Sequence, residues 1–382
     1  MNYSLNDEHK LIRKTVRDFA VREIKPRARE LDEKGEFSEY LTLKMGELGL
    51  FGMYLPEKYG GIGTDTLSYI IAVEELARID SSQAATLAAH NSLGIGPIYY
   101  YGTEEQKQKY LPNLCTGEKI WAFGLTEAGA GSDSRGTKTH ADLNNGSWTI
   151  NGSKTFITNG ASKISAGATV QAVTVTDKGR NQFSCIIVER GTEGFKQIPL
   201  HGKMMWRASD TAELFFDNCS VPEENLLGKV GQGSKIMLST LDNGRLSIGA
   251  MGLGLAQGAF ELALDYAKQR KQFGKFLHEF QVIAFKLADM ATKIEAARNL
   301  LYKACKMKDE GLNFSKEAAM AKLYCSEVAK EVADEAVQIH GGYGLMKDYD
   351  IERFYRDQRL LQIGEGTSEI QRLVIARHIL DL

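Results

Sequence analysis

From Gly233 to the end of the chain, apolar residues keep helical spacing with few interruptions, and no other feature constrains the fold as strongly. Long helices are expected from Gly233 to Gln269, Glu279 to Glu310, Ser315 to His340 and Thr367 to Leu380. Helices of that length bury their apolar faces only by packing side by side, so residues 226–382 read as a C-terminal four-helix-bundle domain.

The start of the chain carries the same period. Leu11, Ile12, Val16, Phe19, Ala20 and Ile24 share a face, and the pattern returns from Leu41 to Leu50, Leu67 to Ile79, Ala84 to Tyr101 and Glu104 to Leu114. Residues 1–120 are therefore expected to form an N-terminal α-helical domain. Between the two helical regions lie short β-type runs at Trp148–Ile150, Thr155–Thr158, Thr169–Val175, Phe183–Val188 and Leu214–Phe216. Asn144-Asn145-Gly146, Asn151-Gly152 and Asn159-Gly160 read as the turns between them. Residues 121–225 are thus expected to form a middle, barrel-like antiparallel β-domain, and the class is α+β in the order α, β, α.

A formal net charge of -2, with Lys and Arg scattered, leaves no electrostatic footprint for nucleic acid. No uninterrupted apolar run reaches the roughly 20 residues of a membrane span, and the polar stretch from Met1 to Lys10 is unlike a targeting segment. The five cysteines are dispersed, without Cys-x-x-Cys, as expected of reduced, mostly buried thiols in a cytoplasmic protein. The seven histidines show no metal-ligand spacing, so no metal is expected.

Three motifs offer chemistry. Thr126-Glu127-Ala128-Gly129-Ala130-Gly131-Ser132-Asp133 is a glycine-rich loop whose N–H groups could approach a pyrophosphate, or simply a flexible entry to the β-domain. It lacks the third glycine of the dinucleotide fingerprint, and no βαβ unit follows. Gly252, Gly254 and Gly258 lie inside a helical pattern and read as close-packing positions. Ser368 and Gln371 have capping-box spacing, and just before them Glu365 stands between Gly364 and Gly366. By itself that glutamate is either solvated surface or a carboxylate that flexible backbone brings against a ligand.

Five motifs occur in order: Thr126 to Asp133, Phe156 to Gly160, Arg270-Lys271-Gln272-Phe273-Gly274, Gln338-Ile339-His340-Gly341-Gly342 and Glu365 to Glu369. Together they resemble the acyl-CoA dehydrogenase family over essentially the whole chain, in its short-chain (butyryl) branch. The resemblance implies a homotetramer with FAD between the β-domain and the C-terminal bundle. Phe123, Leu125, Thr126, Gly131, Ser132, Phe156, Ile157 and Thr158 would hold the flavin ring, and Thr367 and Glu369 would also bind the cofactor. Arg270, Gln272, Phe273, Gln281, Gln338, Gly341 and Gly342 would hold the pyrophosphate and adenosine end across a subunit interface. Ser132, Asp242, Arg245, Gly366 and Arg377 match substrate-contacting positions, and electron-transferring flavoprotein is the implied electron acceptor.

The resemblance also implies a mechanism. Glu365 would remove the α-proton of the thioester while hydride leaves the β-carbon for flavin N5. The developing enolate oxygen would be held by the Glu365 N–H and a ribityl hydroxyl. A free glutamate, near pKa ~4.3, is too weak a base, so burial is expected to raise it towards about 6–7. Some relatives carry the base just before the arginine of the Asp242 to Arg245 segment; that position is Gly244 here. Many straight-chain relatives place Tyr where this chain has Gly364. With Ala84, Ala85, Ala88, Ala89 and Asn91 at the far end of the pocket, that glycine points to a short branched or alicyclic acyl group, cyclohexane-1-carboxyl-CoA foremost. Straight-chain butyryl-CoA is the alternative, and a catalytically silent acyl-CoA-binding flavoprotein a third reading.

Overall fold

The computed structural model describes residues 5–177 and 180–381. The N-terminal helices are α1 (Asp7–Phe19), α2 (Lys25–Lys34), α3 (Glu39–Glu47), α4 (Thr66–Ala77), α5 (Ser81–Ala89), α6 (Gly96–Tyr101) and α7 (Glu104–Leu114). Side chains start most of them: Asn6, Ser38, Asp65, Asp80 and Thr103 each accept a hydrogen bond from a first-turn N–H. The long helical patterns expected over 11–24 and 84–101 are interrupted by π-helical turns at Ala20–Ile24 and His90–Ile95. Such an inserted residue is a frequent mark of functional positions.

The middle region holds β1 (Ile120–Gly124), β2 (His140–Asn144), β3 (Ser147–Thr158), β4 (Ser165–Asp177), β5 (Arg180–Glu189), β6 (Phe195–Pro199), β7 (Thr211–Pro222) and β8 (Leu226–Leu227). They form one sheet in the order β6-β7-β3-β2-β4-β5-β8, with β1 against β4. The sheet is mixed rather than purely antiparallel, because β1 runs parallel to β4 and β2 meets it in parallel at His140 and Val173. Asn144 to Gly146 is the expected hairpin turn, with Asn145 and Gly146 both at positive φ. Asn151-Gly152 is not a turn: β3 runs straight through it, and the register against β7 shifts there. Gly152 sits at φ 143°, and a Cβ there would come within 2.5 Å of the Thr139 hydroxyl. A second shift between Lys154 and Ile157 puts Phe156 at φ 59° and leaves its ring 70% exposed.

The C-terminal part comprises α8 (Gly233–Gln269), a small hairpin of β9 (Lys271–Gln272) and β10 (Lys275–Phe276), α9 (Gln281–Asp309), α10 (Ser315–His340), α11 (Ile351–Leu361) and α12 (Ser368–Ile379). Over one window α8 is apolar enough to match a membrane span by composition, yet most of that window is packed inside the protein. One apolar core joins the two helical regions: Val16, Leu67, Ile70 and Val73 meet Leu253, Leu301, Val332 and Leu361. Every residue of α4 is buried, including Glu74 and Glu75. Arg17 reaches Glu75 at 2.7 Å, while Arg298 and the Tyr302 hydroxyl reach Glu74 at 3.3 and 2.6 Å. Arg13 and Arg78 also lie 3.4 and 3.2 Å from Glu75, so the buried carboxylates of α4 sit among several cations.

The glycines of α8 set how closely α4 approaches. A Cβ on Gly254 would overlap the Glu74 carbonyl, and one on Gly258 the Arg78 carbonyl. The small-residue run therefore serves helix packing, as the sequence suggests. Gly254→Ala is expected to cost about 1–3 kcal/mol, seen as a lower Tm with helix content retained. An unchanged Tm would show that the α4–α8 contact gives way without strain.

Candidate active site

Glu365 lies in the six-residue connection between α11 and α12, spanning 362–367. It adopts φ 52°, a left-handed conformation that disfavours a non-glycine residue, and Gly366 follows at φ 93°. Hydrogen bonds hold this shape from two sides. The Gln371 amide donates to the carbonyls of Glu365 and Gly366 at 3.1 and 2.9 Å, and the Lys322 ammonium donates to the Gly366 carbonyl at 2.7 Å. From α10, Glu327 accepts from the Gln362 amide at 3.1 Å and the Ser368 hydroxyl at 2.9 Å. The cap of α12 is therefore not the Ser368–Gln371 box that the spacing suggests. Thr367 is the N-cap, accepting from Ile370 N, and Gln371 is spent on the turn instead.

The turn drives the Glu365 side chain against α8. A Cβ on Gly244 would overlap the Glu365 Oε2 and come within 3.2 Å of Leu93, so only glycine leaves room for the carboxylate. That oxygen is sealed from solvent and has no hydrogen-bond partner. Among the described residues the Glu365 N–H likewise donates to no protein acceptor. Burial pushes the carboxyl up to about 7, with the charges of Lys322 and Arg245 pulling it down. Arg245 is itself buried and ion-paired with Asp242, which accepts from the Ser315 hydroxyl at 3.0 Å. Tyr69 closes the same interior; its hydroxyl lies 2.9 Å from Ser247 Oγ and 3.1 Å from the Ala88 carbonyl. A buried carboxylate near neutrality, unspent and beside an unspent N–H, has the properties of a general base with an oxyanion donor next to it.

The other predicted positions fall into groups. Thr126 accepts from Thr155 N at 2.9 Å, which ties the glycine-rich loop to β3 beside the exposed Phe156. Open space surrounds Gly129 and Gly131, and Ser132 is exposed. Phe123 and Ile157 have side chains buried in two different cores, so only their backbone can face a ligand, while Leu125 and Thr158 are half-buried. Arg270, Gln272, Gln281, Gln338, Gly341 and Gly342 are exposed, with Arg270 over the Tyr343 ring at 5.5 Å. Phe273, at φ 51°, is 92% exposed on the β9–β10 hairpin. Glu369 and Arg377 are exposed on α12, and Gly364 has room for a Cβ, with its nearest neighbour Leu360 at 3.6 Å.

Asn91 is a correction. Its amide donates to the Leu50 carbonyl and its oxygen accepts from Gly52 N, both at 2.9 Å, so it fastens the 50–52 loop rather than lining a pocket. Its neighbour His90 is equally committed, between Trp121 N and the Leu114 carbonyl, and burial pushes it down to about 4. Sequence reasoning gave no role to Glu127, whose carboxylate accepts from Lys138 N, Thr139 N and the buried Lys154 ammonium, shaping the glycine-rich loop.

Most of the chain matches one family in three consecutive parts. Residues 6–118 match "Acyl-CoA dehydrogenase, N-terminal domain", residues 122–219 the middle domain and residues 231–380 the C-terminal domain. The chain belongs to the acyl-CoA dehydrogenase family. It is 47% identical, over 99% of its length and 100% of the relative's, to "Acyl-CoA dehydrogenase, short-chain specific" of Clostridium acetobutylicum. The solved butyryl-CoA dehydrogenase of Megasphaera elsdenii superposes with a TM-score of 0.97 at 46% identity, both chains fully covered. A chain in the structure described as "Electron transferring flavoprotein of Acidaminococcus fermentans" gives 0.96 at 46% identity, again over both whole chains.

As a member of this family, the protein is an FAD-dependent oxidoreductase. Its surface fits that cofactor: the exposed Phe156 ring, the unfilled space at Gly129 and Gly131, and the exposed Phe273 are aromatic and backbone surfaces that a flat ring and a pyrophosphate would cover. Gly244→Ala is expected to displace the Glu365 carboxylate and slow flavin bleaching by acyl-CoA about tenfold or more, with bound flavin unchanged. A native rate in that variant would show that the carboxylate does not work from the position against Gly244.

Proposed function

We propose that this acyl-CoA dehydrogenase oxidises a short, straight acyl-CoA, of which butyryl-CoA is the model, at the α,β-bond. The observation that carries the chemistry is the sealed, unpartnered Oε2 of Glu365, held near neutrality by burial. Poised there, Glu365 takes the α-proton of the thioester, while its own N–H and the groups around it favour the developing enolate oxygen. Bound FAD supplies the hydride acceptor. Arg245 and Lys322 keep a share of the carboxyl groups ionised, and the apolar surroundings, including Leu93, exclude water.

Identity to butyryl-CoA and short-chain enzymes along the whole chain supports the straight-chain substrate. So does the interior beyond Glu365. Tyr69 bridges α5 and α8 there and packs against Tyr54, whose hydroxyl is tied to the Asn91 carbonyl at 2.6 Å. Ala84, Ala85 and Ala88 are spent in the core, which removes part of the case for a wide pocket. One observation favours the branched or alicyclic reading: the open space at Gly364. Assembly into a homotetramer would complete the cofactor site and cover Phe273. Electron-transferring flavoprotein is the proposed acceptor, supported by the Acidaminococcus structure, and the cytoplasm the proposed compartment.

Anaerobic bleaching of the purified flavoprotein separates the substrates. Butyryl-CoA is expected to bleach the flavin faster than isovaleryl- or cyclohexane-1-carboxyl-CoA, by about tenfold or more. The reverse order would overturn the straight-chain reading and restore the alicyclic one.

A further inference from the structure

Lys322 is a second ionisable group sealed beside the base. It projects from α10 and is 0% exposed. Among the described residues it makes no ion pair within 4 Å; its hydrogen bond goes to the carbonyl of Gly366, at 2.7 Å. A lysine is rarely kept from water without a carboxylate partner, because the cost of desolvating an ammonium is several kcal/mol. Ordinary packing does not call for a cation at this place, since Ala318, Ala319, Ala321 and Cys325 fill the neighbouring buried positions of the helix.

Geometry supplies a reason. The Gly366 carbonyl belongs to the peptide immediately after Glu365, in the left-handed turn that presents the carboxylate to Gly244. Gln371 holds the same carbonyl and that of Glu365 from α12, and Glu327 holds both flanks of the turn through Gln362 and Ser368. Among the described residues, Lys322 is the charged side chain that donates to a backbone carbonyl of this turn. Its charge also faces Glu365, which is the largest opposing influence on a lysine that burial pushes down to about 8.

We propose that Lys322 is a positioning residue for the base: its ammonium locks the Glu365–Gly366 turn and holds the carboxylate in its ionised, proton-accepting form. Among the described residues, Glu365 is faced by Lys322 from α10, Arg245 from α8 and Tyr69 from α4. Lys322 in turn faces Glu327 and Glu369, and Arg245 is occupied by Asp242. Arg245 also acts on Glu365 through its charge, but it is paired with Asp242, whereas the ammonium of Lys322 bonds the turn itself. With the ammonium removed, burial acts on Glu365 with less opposition and its pKa rises further, so the base ionises only at higher pH.

The test is an infrared titration of the Glu365 carboxyl band in the FAD-loaded protein without substrate, with the band assigned by its loss in Glu365→Gln. Lys322→Met is expected to raise the midpoint by about one unit or more, which leaves about tenfold fewer ionised bases below it. Lys322→Arg, which keeps the charge and a donor, is expected to titrate with the wild type. The acid limb of the pH profile for flavin bleaching by butyryl-CoA should move with the band. If Lys322→Met loses flavin or its Tm collapses, Lys322→Gln, neutral but still a hydrogen-bond donor, reads the same midpoint. A wild-type midpoint in either folded neutral variant overturns the proposal. The titration uses no acyl-CoA, so failure of butyryl-CoA to bleach the flavin would sink the substrate reading while leaving this one to stand or fall on the band.

Discussion

The site depends on one steric fact: the Glu365 carboxylate occupies the space that a side chain at residue 244 would fill. Held there, one carboxylate oxygen, Oε2, loses water without gaining a direct partner, and that burial raises the pKa to about 7. The arrangement needs two elements far apart in sequence, a glycine within α8 and a left-handed turn before α12, placed so that a Cβ on the glycine would come within 1.7 Å of the carboxylate. Neither element suffices alone. A bulkier residue at 244 would expel the carboxylate, and a relaxed turn would return it to water.

The rest of the fold serves that placement. Glycines in α8 let α4 approach, and the paired Glu74 and Glu75 fasten α4 to α1 and α9, so α8 is held rigidly on one side. α10 lies on the other side and carries Lys322 and Glu327, which grip the turn. The β-sheet contributes differently. The second register shift on β3 turns Phe156 outward next to the glycine-rich loop, giving a flat ring a surface beside the site.

Much of this was legible in the sequence because it is periodic. The long helices, the β-rich middle and the close packing at Gly254 follow from spacing and residue size alone. What the sequence concealed depends on partners distant in the chain. Asn151-Gly152 has the composition of a turn, but its register with β7 makes it a bulge. Asn91 looks free to meet a ligand until the 50–52 loop claims both ends of its amide. Ser368 and Gln371 have capping spacing, yet the turn before them needs Gln371 more than the helix does. Lys322 gave no signal at all, since a lysine within a helical pattern reads as solvated surface until its neighbours are known.

The central claim is that Glu365 is a buried base poised near neutrality. It is tested most directly by the pH dependence of kcat/KM for anaerobic flavin bleaching, measured beside the Glu365→Gln variant. The rate is expected to rise with pH through a midpoint at about 7 in the free enzyme. Glu365→Gln, with flavin still bound, is expected to lose about 10²–10⁴-fold. A variant that bleaches at the native rate, or a wild-type profile flat across that range, would contradict it.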